Sequence, residues 1–425
     1  MALGPLPGAP GSPTLLGMGT TEADATVRRI LDRHDDEARR DLYRLYDRLR
    51  ADPVVHSAAA EAWVVTRHSD VVDILRAPTG WSSDFRRSTN FQREVANGRS
   101  TGLTDMLSLV LLFMDPPAHT RLRSLVAKAF TPRAVQQLGP RIEAIAAGLV
   151  DDLRGRDRFE LLDDYAFPLT ITVICELLGV PVADRGLFRE HVPALTQLIE
   201  WEETSEDDPG LVAAVLTLWG YLTELIDRRA AAPGDDLLSV LLRAEEDGDR
   251  LARDEVLVMV VLLLAAGHET TLNLLGNGVL ALLRAPDQLR RLLDDPGLVP
   301  TAVEELLRYD SPVQLTARTA TGATVVAGQE VAAGDQVMLL VGSANHDPTV
   351  FPDPERLDVG RGSRSHVSFG YGAHHCLGAA LARAEAAVAL RHLLPAFPGL
   401  GLVEEPRWRS STTLRGLERL DLTPR

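Results

Sequence analysis

The longest uninterrupted apolar run in this chain is Val256–Gly267, twelve residues set between Glu255 and His268. A helix that crosses a bilayer needs about 20 such residues, so the run predicts a helix buried inside protein instead. A helix that is apolar on every side has to be surrounded by other elements. The chain has the means to surround it, with 425 residues, 45% of them apolar and 24% charged, the balance of a soluble globular protein. The opening stretch Met1–Pro13 has neither a basic start nor a continuous apolar core, so it reads as a loose tail and not as a leader or anchor. We expect a disordered tail over residues 1–20 and one domain over 21–425, with no internal repeat and no linker.

The rest of the chain reads as mainly helical. Apolar residues recur every three or four positions through Val27–Leu49, His119–Phe130, Ala134–Leu153 and Val212–Arg229. Strands are predicted at Ala62–Thr66, followed by a capped helix over Ser69–Arg76, and at Thr324–Val331 and Gln336–Val341, parted by the turn Ala333–Asp335. This is a helical fold with a minor sheet, not a repeating βαβ pattern. Trp81–Asp115 and the acidic stretch Glu200–Asp208 read as loops, the first a lid or binding loop and the second a solvated turn.

Lys and Arg number 44 against 60 Asp and Glu, a net charge of −16 that excludes nucleic acid or an anionic membrane as main partner. Two cysteines are too few for a disulfide framework and fit a reducing cytoplasm. Cys175 sits in an apolar helix that runs from Ile171 and ends at Gly179, and reads as core packing. Cys376 differs, because glycine-spaced Phe369–His375 precedes it and the Ala-rich helix Ala379–Leu394 follows. Glycines let backbone approach a bound group, and amides at a helix start favour a thiolate. A buried cysteine at a loop-to-helix junction is the plainer alternative. Zinc is disfavoured, since His374, His375 and Cys376 lack spaced partners and His268–Leu272 lacks the second histidine of a zinc-protease helix. Gly276–Ala281 matches a dinucleotide loop only by chance, having no strand before it.

The ten residues Phe369–Gly378 match every defined position of Phe-Gly-x-Gly-x-His-x-Cys-x-Gly, and so resemble the haem-binding loop of the cytochrome P-450 superfamily. Three further stretches resemble that family in the right order: Asp115–Arg123, Ala266–Thr271, and Glu305-Leu-Leu-Arg308 with Arg356 downstream. The resemblance implies a mainly α fold, a helical triangular prism with a smaller β-rich lobe. It implies haem b with Cys376 as the axial thiolate of its iron, Phe369 packed beside the sulfur, and Gly370 and Ala266 leaving room for the haem and for dioxygen. His374, His119, Arg123 and Arg318 would meet the haem propionates. Thr270 and Glu269 would be the catalytic alcohol and acid, Thr270 donating a hydrogen bond to oxygen and Glu269 relaying protons; alone, Thr270 need only bend its helix. Glu305, Arg308 and Arg356 would form a buried structural ion-pair set. Leu262, Ala266, Val313, Gln314, Thr413 and Leu414 would face the substrate, with Gln314 bonding either a substrate oxygen or backbone.

A soluble monooxygenase of this kind would be cytoplasmic and monomeric. It would take electrons from a separate ferredoxin and ferredoxin reductase and insert one atom of O2 into a hydrophobic small molecule, a secondary metabolite or steroid-like compound. Arg121 and Lys128 would offer the ferredoxin a basic patch. The alternatives are a peroxide-driven or non-oxygenating haem-thiolate enzyme and, more distantly, a haem sensor or carrier.

Overall fold

The computed structural model describes residues 22–97, 107–127, 130–195, 209–246 and 249–424. The expected tail 1–20, the acidic stretch 200–208 and Lys128 lie outside the described residues. The buried apolar run lies in the first half of a helix far longer than itself, Arg253–Arg284, whose start is held by Glu255 accepting the Ala252 amide at 2.7 Å. Helices Phe167–Leu177, Pro209–Ala231, Val299–Tyr309 and Ala379–Ala396 pack around it. Both Arg253–Arg284 and Pro209–Ala231 are long and apolar enough to cross a membrane, yet the apolar stretch of the first is 61% buried among its neighbours. Tertiary packing thus supplies the cover that the apolar run demanded. Close approach explains two helix glycines: a Cβ at Gly276 would meet Leu162 at 2.8 Å, and one at Gly278 would meet Leu306 at 3.0 Å. These glycines serve helix packing.

A five-stranded sheet forms a second, smaller core at one side, in the order Val54–Ser57, Ala62–Val65, Gln336–Leu340, Leu315–Ala320, Trp81–Ser82. Gln336–Leu340 runs parallel to Ala62–Val65 and antiparallel to Leu315–Ala320, bringing together strands far apart in sequence. Several expectations need correction. Thr324–Val331 is not one strand but a hairpin, Thr324–Val326 with Gln329–Val331, because Ala327 and Gly328 turn at φ of 46° and 86°. The helix after Ala62–Val65 starts at His68, and its first amide is taken by Asp347 from across the fold at 3.0 Å, not by a serine cap. Val27–Leu49 is divided among Glu22–Leu31, Asp36–Arg40 and Leu42–Leu49, since Asp35 caps a new helix by accepting the Ala38 amide at 2.8 Å. Trp81–Asp115 is only partly loop: Trp81–Ser82 joins the sheet and Thr89–Ala96 is helical.

Candidate active site

The glycine-spaced loop is built by its own backbone. The Cys376 amide donates to the Phe369 carbonyl at 2.8 Å and the Gly370 amide to Val367 at 2.8 Å, with Gly370 and Gly372 at φ of 65° and 67°. At Gly372 the left-handed backbone coincides with a close approach, since a Cβ there would lie 2.4 Å from the Leu75 carbonyl oxygen. Gly372→Ala is therefore expected to destabilise the protein by about 1–3 kcal/mol or more, seen as a lower urea midpoint. The loop turns the Cys376 thiol into a cavity of about 1290 Å³. Burial pushes the thiol pKa up, opposed by the amides of Gly378 and Ala379 and the charges of Arg123 and Arg383. Cys175, by contrast, is fully buried in the core and its pKa is raised by burial to about 12.

The same cavity is lined by Leu262, Ala266, Gly267 and Thr270 of the central helix, and by Val313, Thr413 and Leu414. The last three meet because the C-terminal segment pairs with the stretch after the Val299–Tyr309 helix: Val313 bridges Leu414 and the Gln314 amide donates to Thr413 at 2.8 Å. Thr270 Oγ donates to the Ala266 carbonyl at 2.7 Å while lining the cavity, so bending the helix and facing the site are not exclusive. Its neighbour Glu269 points elsewhere. The carboxylate is 3% exposed and ion-paired with Arg409 of the C-terminal segment, with His268 Nε2 3.7 Å away. Nothing in the sequence around Arg409 signalled that pairing.

Gln314 does not face the cavity as expected. Its Nε2 donates to the Ser311 carbonyl at 2.7 Å and to Tyr43 Oη at 3.1 Å, and its Oε1 accepts from Tyr46 Oη at 3.0 Å, so its polar atoms are consumed in the core. Alternation along the extended chain sends Val313 inward and Gln314 outward. Arg356 needs correction too. Its side chain is 66% exposed and bonds Asp358, whereas Arg361 donates to Glu305 Oε1 at 3.1 Å. Glu305 also takes both arms of Arg308, at 2.8 and 2.9 Å, fully buried. Arg121 is engaged by Glu255 at 2.6 Å, which removes much of the charge expected for a basic patch.

Arg123, Arg318 and His374 also line the cavity, and the ring of His119 lies against that of His374, 4.1 Å between centroids and tilted by 38°. Both ring nitrogens of His119 are buried without a hydrogen-bond partner, a costly state unless a bound group satisfies them. Arg318 is half-buried and lines the cavity, and among the described residues its guanidinium donates to the Ala317 carbonyl at 2.6 Å; desolvation pushes its pKa down to about 10, so it remains a cation. Burial, helped by Arg318, His119 and Arg123, pushes His374 down to about 3; it is a neutral donor or acceptor, with Ser83 Oγ at 3.0 Å. Half-buried cations beside orphaned ring nitrogens fit the two carboxylates of haem, and a thiol exposed into the cavity fits its iron. The residues present therefore fit that cofactor.

The family model described as "Cytochrome P450" (cytochrome P-450) matches residues 297–401, which include the Glu305 helix and the cysteine loop. The chain is 45% identical to Cytochrome P-450 107B1 of Saccharopolyspora erythraea over 92% of its own length and 96% of that relative's. It is 42% identical to Vitamin D(3) 25-hydroxylase of Pseudonocardia autotrophica, over 89% of this chain and 92% of that one. The crystal structure of Mycobacterium smegmatis CYP164A2 superposes with a TM-score of 0.85 at 40% identity, covering 94% of this chain and all of that one. With relatives 42–45% identical and a solved structure of the same fold matching over nearly the full length, the chain belongs to the cytochrome P-450 family and is a cytochrome P-450 monooxygenase.

Proposed function

We propose that this monooxygenase binds haem b through Cys376 and inserts one atom of O2 into a hydrophobic small molecule, using electrons from a separate ferredoxin and its reductase in the cytoplasm. The observation that carries the reading is a single cavity that collects the Cys376 thiol, the Thr270 alcohol and the half-buried cation of Arg318. At about 1290 Å³ it exceeds the roughly 300–1,000 Å³ of an ordinary ligand pocket, which accords with a cofactor and a substrate side by side. Haem bound there supplies oxygen activation, and thiolate donation favours O–O cleavage.

The protein's own residues do the remaining work. Arg123, Arg318 and the neutral His374 and His119 would hold the propionates, and Phe369 would pack beside the sulfur and shield it from water. Thr270 holds a proton at Oγ and can exchange its bond to the Ala266 carbonyl for one into the cavity. Glu269 is buried and paired with the one-third exposed Arg409, so a role in proton supply would require that pair to open. Leu262, Val313 and Leu414 exclude water from the substrate and favour an apolar one, a secondary metabolite or a steroid-like compound; kinship to a vitamin D(3) hydroxylase supports this class.

Reconstitution tests the reading. A ferredoxin, its reductase and NADPH should convert an apolar ligand that shifts the Soret band into a product heavier by one oxygen. Turnover with peroxide alone, and none with the ferredoxin chain, would replace it by the peroxide-driven alternative. Thr270→Val is expected to lower product formation by about 100-fold, the scale of a lost proton-handling group, while O2 is still consumed and appears as peroxide.

A further inference from the structure

The helix Val299–Tyr309 carries two adjacent glutamates, and the ion-pair set with Arg308 and Arg361 uses only Glu305. Glu304 is just as buried, at 3% exposure, and meets a different group of partners. It accepts from Arg383 Nε at 2.6 Å and Nη2 at 3.0 Å, and lies 2.9 Å from His366 Nε2. Burial alone would raise its pKa, yet the bonds from His366 and Arg383 prevail and hold it at about 2, so this carboxylate stays charged. Arg383 follows Cys376 by seven residues, near the start of helix Ala379–Ala396. Its guanidinium carbon sits 4.4 Å from the centroid of the Phe369 ring. Phe369 in turn accepts the Cys376 amide at 2.8 Å, so the charge is stacked on the ring whose backbone holds the cysteine.

A cation in that position draws electron density from the sulfur, and the carboxylate fixed behind it cancels part of the effect. We propose that the Glu304–Arg383 pair sets the electron-donating strength of the Cys376 thiolate, acting through Phe369, and so sets the reduction potential of the iron it binds. This rests on Cys376 being the axial ligand. Arg383 and Glu304 are then positioning residues with opposite signs. Uncompensated positive charge favours the reduced iron, and loss of positive charge favours the oxidised iron. A purely structural clamp would have no such sign, because breaking it from either side would disturb the same ring.

The test is the reduction potential of the haem-loaded, substrate-free protein, measured by spectroelectrochemistry without any protein partner. Arg383→Met should lower the equilibrium constant for reduction by about tenfold, or about 59 mV for a one-electron couple, and Glu304→Gln should raise it. Arg383→Lys, which keeps the charge, should stay near the parent. Shifts of the same sign in the Met and Gln variants, unchanged potentials, or a Lys variant that matches Met would each overturn the proposal. Should Glu304→Gln fail to hold haem, the Lys and Met variants decide between charge and shape. The carbon monoxide spectrum of the reduced parent separates the two ideas: if it lacks the thiolate signature, the ligand assignment fails, and if it has it, only the potentials bear on the pair.

Discussion

Cys376→Ala is expected to abolish the thiolate absorbance of the reduced, carbon monoxide-bound protein and to reduce oxygenation to background. The substitution removes one sulfur and no backbone bond: the amide at this position still donates to the Phe369 carbonyl, and the turns at Gly370 and Gly372 are untouched. The fold should persist, so circular dichroism should match the parent while the spectrum does not. Weaker haem binding should also lower thermal stability, because a ligand held at about a thousandfold over its Kd contributes about 4 kcal/mol that the variant forfeits. A variant that kept the thiolate band would show the assignment of Cys376 to be wrong. Cys175→Ala serves as the control, since that thiol is buried in the core and neutral.

Arg361→Ala is expected to cost about 3–5 kcal/mol, against less than about 0.5 kcal/mol for Arg356→Ala. Arg361 is 12% exposed and does more than pair with Glu305. It also donates to the carbonyls of Pro352, Asp353 and Arg356, at 2.6, 3.2 and 3.0 Å, and so ties the loop ahead of the cysteine to the Val299–Tyr309 helix. Removing it leaves Glu305 buried with one cation where there were two and frees three carbonyls. Among the described residues the Arg356 side chain pairs with Asp358 alone, at the surface, the kind of pair that contributes little. Urea unfolding of both variants measures the difference, and equal losses or a reversed order would show that the lock lies elsewhere.

What was legible in the chain follows a physical division. The central helix was legible because an apolar run without a polar face permits one environment, and the cysteine loop because glycines at fixed spacing leave one kind of backbone path. The pairing of Glu305 with Arg308 was legible too, being three residues apart on one helix. Arg356 and Arg361 could not be told apart in this way. Both lie in an irregular loop, and the choice depends on how the chain turns at Asp353, where φ is 49°. Gln314 misled for a similar reason: whether it or Val313 faces the cavity is set by the pairing of its strand with the C-terminal segment, a hundred residues away in sequence.

The sequence by itself determined the helical class, the thiol-bearing loop and the alcohol-bearing helix, since each rests on local spacing or on the solvent preference of a contiguous stretch. Only the tertiary structure decided which charges meet. Glu269 with Arg409, Glu305 with Arg361, and Glu304 with Arg383 beneath Phe369 are contacts between distant segments. An ion pair carries no periodicity, and any of the chain's many arginines suits a carboxylate equally well until packing brings one of them within reach and removes the water around it.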